Sequence, residues 1–138
     1  MINLHVGDST FFISQKYLEL ALAQARMGFW EVNLHEKNYM SCTDQCKKNF
    51  GWDTALAFSY EDMLGCILDA DRAEMQEHVA ESIEKNIPYH AQYRVRHADE
   101  SIHWIEAQGW VTYDENGSPR AISGTTLDIT EKKELEIL

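Results

Sequence analysis

From Tyr89 to Arg96 the chain alternates, with Tyr89, Ala91, Tyr93 and Val95 on one side and His90, Gln92, Arg94 and Arg96 on the other. A period of two with one apolar and one polar face predicts a half-buried strand whose polar side meets water. The next run also alternates, but both of its faces carry apolar residues: Ile105, Ala107, Gly109 and Val111 on one, Ile102, Trp104 and Trp110 on the other. Both faces of this strand are therefore expected to be covered. Asn116-Gly117 supplies the positive backbone angles of a tight hairpin, and Pro119 opens a last strand, Arg120 to Ile129. Thr130 is then expected to cap a helix, with Glu131 near its positive end.

The first half reads less evenly. Residues 1 to 12 show no period and are assigned to no element. Ser14 can cap a helix running to about Met27, with Tyr17, Leu18, Ala21, Leu22 and Ala25 as its apolar stripe and Gly28 as its stop. Phe29 to Leu34 alternates as a strand with Trp30, Val32 and Leu34 on its buried side, and Tyr39 to Cys42 pairs back with it. Short helices are predicted at Asp44 to Phe50 and Ser59 to Ile67, divided by Gly51-Trp52-Asp53. Asp71 followed by Glu74 has the spacing of a capping box. Met75, Val79 and Ile83 then mark a helix that should end near Asn86, ahead of Pro88.

This order has no βαβ rhythm. It predicts an α+β fold, an antiparallel sheet with helices on one face and the N-terminal helix flanking the other, which would bury the doubly apolar strand. The expected organisation is a leader or upstream remnant at 1–13, a flanking helix at 14–28, a core at 29–130 and the start of a further helix at 131–138.

Composition narrows the function. A chain of 138 residues fits one core. The formal charge of −11 disfavours nucleic acid and anionic membrane surfaces. No apolar run is long enough to span a bilayer and no signal peptide is evident, so a cytoplasmic location is expected. Three cysteines suit a reducing compartment, and Cys42 and Cys46, four apart, read as packed thiols because no nearby histidine completes a metal site. No nucleophile elbow, phosphate loop or metal-binding His-Glu motif is present, and Asp69 and Asp71 are better explained as helix-start residues, so this chain is not expected to be an enzyme.

Tyr93-Arg94-Val95-Arg96, Ile102-His103-Trp104-Ile105, Tyr113-Asp114-Glu115-Asn116-Gly117 and Gly124-Thr125-Thr126-Leu127-Asp128-Ile129-Thr130-Glu131, taken with the order of elements, resemble a PAS domain with its C-terminal PAC motif. The resemblance covers about residues 14 to 138. It implies a five-stranded antiparallel sheet, a cavity between the sheet and the central helices, and flanking helices linking input to output. It also implies a bacterial signalling protein whose output is a histidine kinase, diguanylate cyclase or phosphodiesterase domain, with homodimerisation through the N-terminal helix and outer sheet face. Ala98-Asp99-Glu100-Ser101 departs from it by placing Glu where the family often has Gly, which puts the tightness of that turn in question.

By the same resemblance, Trp104, Asp128, Ile129 and Thr130 are the signal-transfer residues, Asp128 tying the last strand to its neighbours and Thr130 starting the outgoing helix. The expected function is detection of a small ligand or of a redox or light cue. The alternative is a ligand-free dimerisation module that aligns a downstream enzyme. Some PAS domains bind haem through a histidine, but His78, one step off the Met75–Val79–Ile83 stripe, is read as solvated or satisfied in the core. Flavin-binding members carry a reactive Cys in an Asn-Cys-Arg-Phe-Leu-Gln-like run that Gly65-Cys66-Ile67-Leu68-Asp69 lacks, so the cofactor is left unassigned. Trp30, Tyr39, Tyr93, Trp104 and Trp110 are numerous enough to line a pocket, although core or interface packing is the better account of them.

Overall fold

The computed structural model describes residues 2–6 and 9–137, and side chains from Ser14 onward. Strands β1 (Ile2–Val6) and β2 (Ser9–Ile13) pair as a separate antiparallel hairpin in the stretch to which no period assigned an element. The main sheet has five antiparallel strands, β3 (Gly28–Asn33), β4 (Tyr39–Cys42), β5 (Tyr89–Arg96), β6 (Ile102–Tyr113) and β7 (Pro119–Asp128), in the order β4-β3-β7-β6-β5. Helices α2 (Asp44–Asn49), α3 (Tyr60–Cys66) and α4 (Asp69–Lys85) lie between the two strand groups in sequence. They pack on the inner sheet face.

The alternation read from the sequence decides that face. Trp30, Val32, Tyr89, Ala91, Tyr93, Val95, Ile105, Ala107 and Ile122 are buried and meet Cys46, Phe50, Phe58, Ile67 and Met75 from the helical side. Phe50 sits centrally, its ring 5.5 Å from that of Phe58 and 6.3 Å from that of Tyr93. Burying a side chain of this kind contributes about 1.5–3 kcal/mol. A Cβ on Gly28 would collide with the backbone of Cys46, so the missing side chain lets α2 lie directly on β3.

One helix start differs from expectation. Helix α4 begins at Asp69 and has no side-chain cap. Asp71 instead turns its carboxylate to β5, where it accepts from the backbone N–H, Nε and Nη2 of Arg94 at 2.7–2.9 Å. The α3–α4 junction closes the β5 edge further, through Leu68 N–H to Arg94 O and a bridge between Ile67 and Val95. The helix ends at Asn86, in the left-handed conformation expected of a stop.

Helix α1 (Gln15–Gln24) is capped by Ser14 as expected but ends short of Met27. Arg26 takes a left-handed turn at φ 58° and Gly28 already opens β3. None of its residues is buried, and Tyr17 is 67% exposed. It shares a groove with Cys42–Gln45 at the start of α2 and does not cover the strand pair beneath Trp110, which stays 51% exposed. The outer side of β6 is therefore open to solvent at that point. Finally, α5 (Thr130–Ile137) leaves the end of β7 and returns along β6.

Candidate functional site

A cavity of about 140 Å³ lies between the inner sheet face and the helices. Trp30 and Val32 of β3, Tyr89 and Tyr93 of β5, and Ile122 and Thr126 of β7 form its floor. Cys46 of α2, Tyr60 and Met63 of α3, and Met75, Val79 and Ile83, the apolar stripe that α4 directs inward, form its roof. The hydroxyls of Tyr60, Tyr89 and Tyr93 have no hydrogen-bond partner among the described residues, whereas that of Tyr113 donates to the Ile83 carbonyl at 2.8 Å. These hydroxyls belong to residues that border the cavity and are free of protein partners there.

A continuous chain of contacts runs from this wall to the last helix. Thr126 Oγ1 donates to Cys46 Sγ at 3.6 Å and accepts from Asn49 Nδ2 at 3.3 Å; the same amide donates to the carbonyls of Thr126 and Arg26. The Asn49 carbonyl accepts from His97 Nε2 at 2.9 Å. The His97 ring stacks on that of His103, with centroids 3.6 Å apart and 3° between planes. A Cβ on Gly51 would collide with His97, so glycine at φ 69° makes room for the stack. His103 Nδ1 meets Asp128 Oδ2 at 2.7 Å. Burial pushes the His97 pKa down, opposed by the Asn49 carbonyl.

Asp128, Ile129 and Thr130 bind the end of the sheet to α5. Asp128 Oδ1 accepts from Thr130 N–H at 2.9 Å and from the Thr130 hydroxyl. Burial works against the charge on Asp128, but the Thr130 and His103 hydrogen bonds outweigh it and hold its carboxyl below the usual range. Ile129 N–H donates to Trp104 O at 2.8 Å, and Trp104 N–H donates to Thr130 Oγ1 at 2.9 Å. The cap is thus supplied by Asp128 and not by Thr130, whose oxygen is turned to β6 because the last ladder position of that strand needs an acceptor. The Trp104 ring lies on the outer face beneath Lys133 of α5, 4.9 Å from its Nζ, and 5.6 Å from the Arg94 guanidinium carbon.

All four expected transfer residues therefore meet at one junction. Asn49, His97, His103 and Thr126, which complete the path to the cavity, were not singled out by sequence; only the polar residue at an apolar alternation position, Thr126, carried a signal. Of the aromatic set, Trp30 and Tyr93 line the cavity, Tyr39 is exposed, and Trp104 and Trp110 lie outside. Cys42 ends β4 while Cys46 lies in α2, so the pair does not share a helix face. Burial pushes the Cys66 thiol up to about 11.

His97, His103 and Asp128 offer ligand atoms within 4.8 Å of one another. A carbonyl only accepts, so His97 Nε2 keeps its proton for Asn49, and two face-to-face rings direct their lone pairs along parallel lines and not to one point. The group suits a hydrogen-bonded strut better than a coordination sphere. Haem and flavin fit the cavity poorly: among the described residues no histidine lines it, His78 beside the α4 stripe turns Nε2 to Glu74 at 4.0 Å while its buried Nδ1 finds no partner there, and the volume is below the roughly 300–1,000 Å³ of ordinary cofactor pockets.

Comparison with known proteins agrees with this fold. The family model described as PAS fold matches residues 39–126, more than half of the chain. The sensor protein FixL of Bradyrhizobium diazoefficiens is 26% identical over 111 residues, which cover 80% of this chain and 22% of that protein. A sensory box histidine kinase/response regulator from Burkholderia thailandensis superposes with a TM-score of 0.75 at 25% identity, over 86% of this chain and 88% of that one. The N-terminal domain of a diguanylate cyclase with PAS/PAC sensor from Marinobacter aquaeolei gives 0.69 at 22% identity, over 78% and 98%. Among the described residues, no helix is long and apolar enough to cross a membrane.

Proposed function

We propose that this chain, which belongs to the PAS fold family, is the sensory module of a bacterial signalling protein and passes the state of its cavity to α5 through Asp128, Ile129, Thr130 and Trp104. The observation that carries this reading is the unbroken contact path from Thr126, on the cavity wall, through Asn49, His97 and His103 to Asp128. A shift of the wall moves Thr126, and the buried Asn49 amide has no slack to absorb it. The displacement is delivered to the carboxylate that caps the exit helix. The module performs no chemistry of its own. Its output domain is of the histidine kinase or diguanylate cyclase class, which the relatives carrying PAS sensors favour, and it works in the cytoplasm.

Homodimerisation belongs to this reading, and the exposed Trp110 beside Phe29, 6.4 Å between rings, favours the outer face as the contact. The same observation supports a second reading, in which the domain only aligns two copies of an enzyme.

Thr126→Val tests transmission without any ligand, since it keeps shape and removes the hydroxyl that joins Cys46 and Asn49. Loss of about 1 kcal/mol of hydrogen bonding at the wall should speed amide exchange across 130–137 about fivefold. Exchange in α5 identical to that of the parent chain would refute the path.

A further inference from the structure

The chemistry of the cavity wall restricts what it can hold. Tyr60 of α3 and Tyr89 and Tyr93 of β5 border one space, and burial pushes all three phenols above their ordinary pKa, so they stand there as neutral O–H donors. Thr126 is already engaged by Asn49 and Cys46. Among the described residues, none that lines the cavity carries a charge at neutral pH: the remainder are aliphatic, aromatic or sulfur-bearing side chains and Asn38. A buried carboxylate or ammonium would lose its hydration and find no counter-ion.

Size is equally restrictive. The volume of about 140 Å³ is close to the roughly 150 Å³ of an apolar cavity that accepts benzene. Met63 and Met75, unbranched and adaptable, flank the space and can yield to a few additional atoms.

We infer that the cavity binds a small neutral cyclic molecule, of the bulk of one substituted benzene ring, whose carbonyl or other acceptor is held by the hydroxyls of Tyr60, Tyr89 and Tyr93. This rests on the reading of the cavity as the sensory input and names the class of compound that enters it.

Three probes of similar bulk separate the elements of this assignment: acetophenone, neutral with an acceptor; benzoate, its anionic near-isostere; and toluene, with no acceptor. Each is titrated into the 138-residue chain while amide and methionine methyl resonances are followed. Acetophenone should shift Met63, Met75 and Tyr93 saturably, and benzoate should leave them in place. Tyr93→Phe and Tyr89→Phe should each weaken acetophenone about five- to tenfold and leave toluene unchanged. Benzoate binding as tightly as acetophenone overturns the neutral-ligand assignment. Acetophenone affinity unaffected by either Tyr→Phe variant overturns the acceptor assignment, and a cavity holding only water at millimolar acetophenone overturns both. None of these results bears on transmission, which the Thr126→Val exchange reads without a ligand.

Discussion

Glu100 holds φ at 73° in the turn between β5 and β6, a region in which a side chain is strained. The turn nevertheless closes, with His97 N–H on Ser101 O at 2.9 Å and Glu100 N–H on His97 O at 3.0 Å. The departure from the family's glycine left the tight geometry intact and placed its strain on one residue. Glu100→Gly should therefore raise stability by about 0.5–1 kcal/mol in urea unfolding, since the exposed Glu100–Arg96 pair at 3.5 Å contributes little; an unchanged or lower midpoint would contradict the strain. Asp128 and Thr130 show the same limit of legibility. Sequence placed both at the helix start, but which oxygen caps the helix depends on β6, whose Trp104 N–H draws the threonine away.

At the scale of elements, period recovered what period controls. The buried faces of β3 and β5 and the stripe of α4 follow from spacing, and the stop at Asn86 from Pro88 beyond it. Ends governed by a distant partner did not follow. Asp71 carries the spacing of a capping box, yet its carboxylate fastens α4 to Arg94 of β5, and these hydrogen bonds hold its pKa below the ordinary carboxylate value against burial. Because the folded value is depressed, the contribution is present above the unfolded value of 3.8 and is lost as pH falls through the folded one. Asp71→Ala should cost about 1 kcal/mol at pH 7, discounted for solvent screening, and the difference should narrow in unfolding measured near pH 3. A constant difference at both pH values would exclude the charged clamp. Helix α1 is the opposite case: its apolar stripe promised burial, but Arg26 turns the chain before the helix reaches the outer face.

The whole molecule joins residues that no local pattern relates. Asn49, His97, His103, Thr126 and Asp128 come from α2, the β5–β6 turn, β6 and β7, and only the closed sheet brings them into one path between a cavity and a helix. Sequence made the cavity expected through resemblance and the junction visible through its motif; the polar strut between them became legible in three dimensions. The central claim is that filling the cavity is felt at α5, and xenon, which enters small apolar cavities without hydrogen bonding, tests it without knowledge of the natural ligand. Under xenon pressure, amide resonances of residues 129–137 should shift together with those of Met75 and Tyr93, and the α5 shifts should vanish in Asp128→Ala. Shifts confined to the cavity residues in the unmodified chain, with α5 unmoved, would contradict the account.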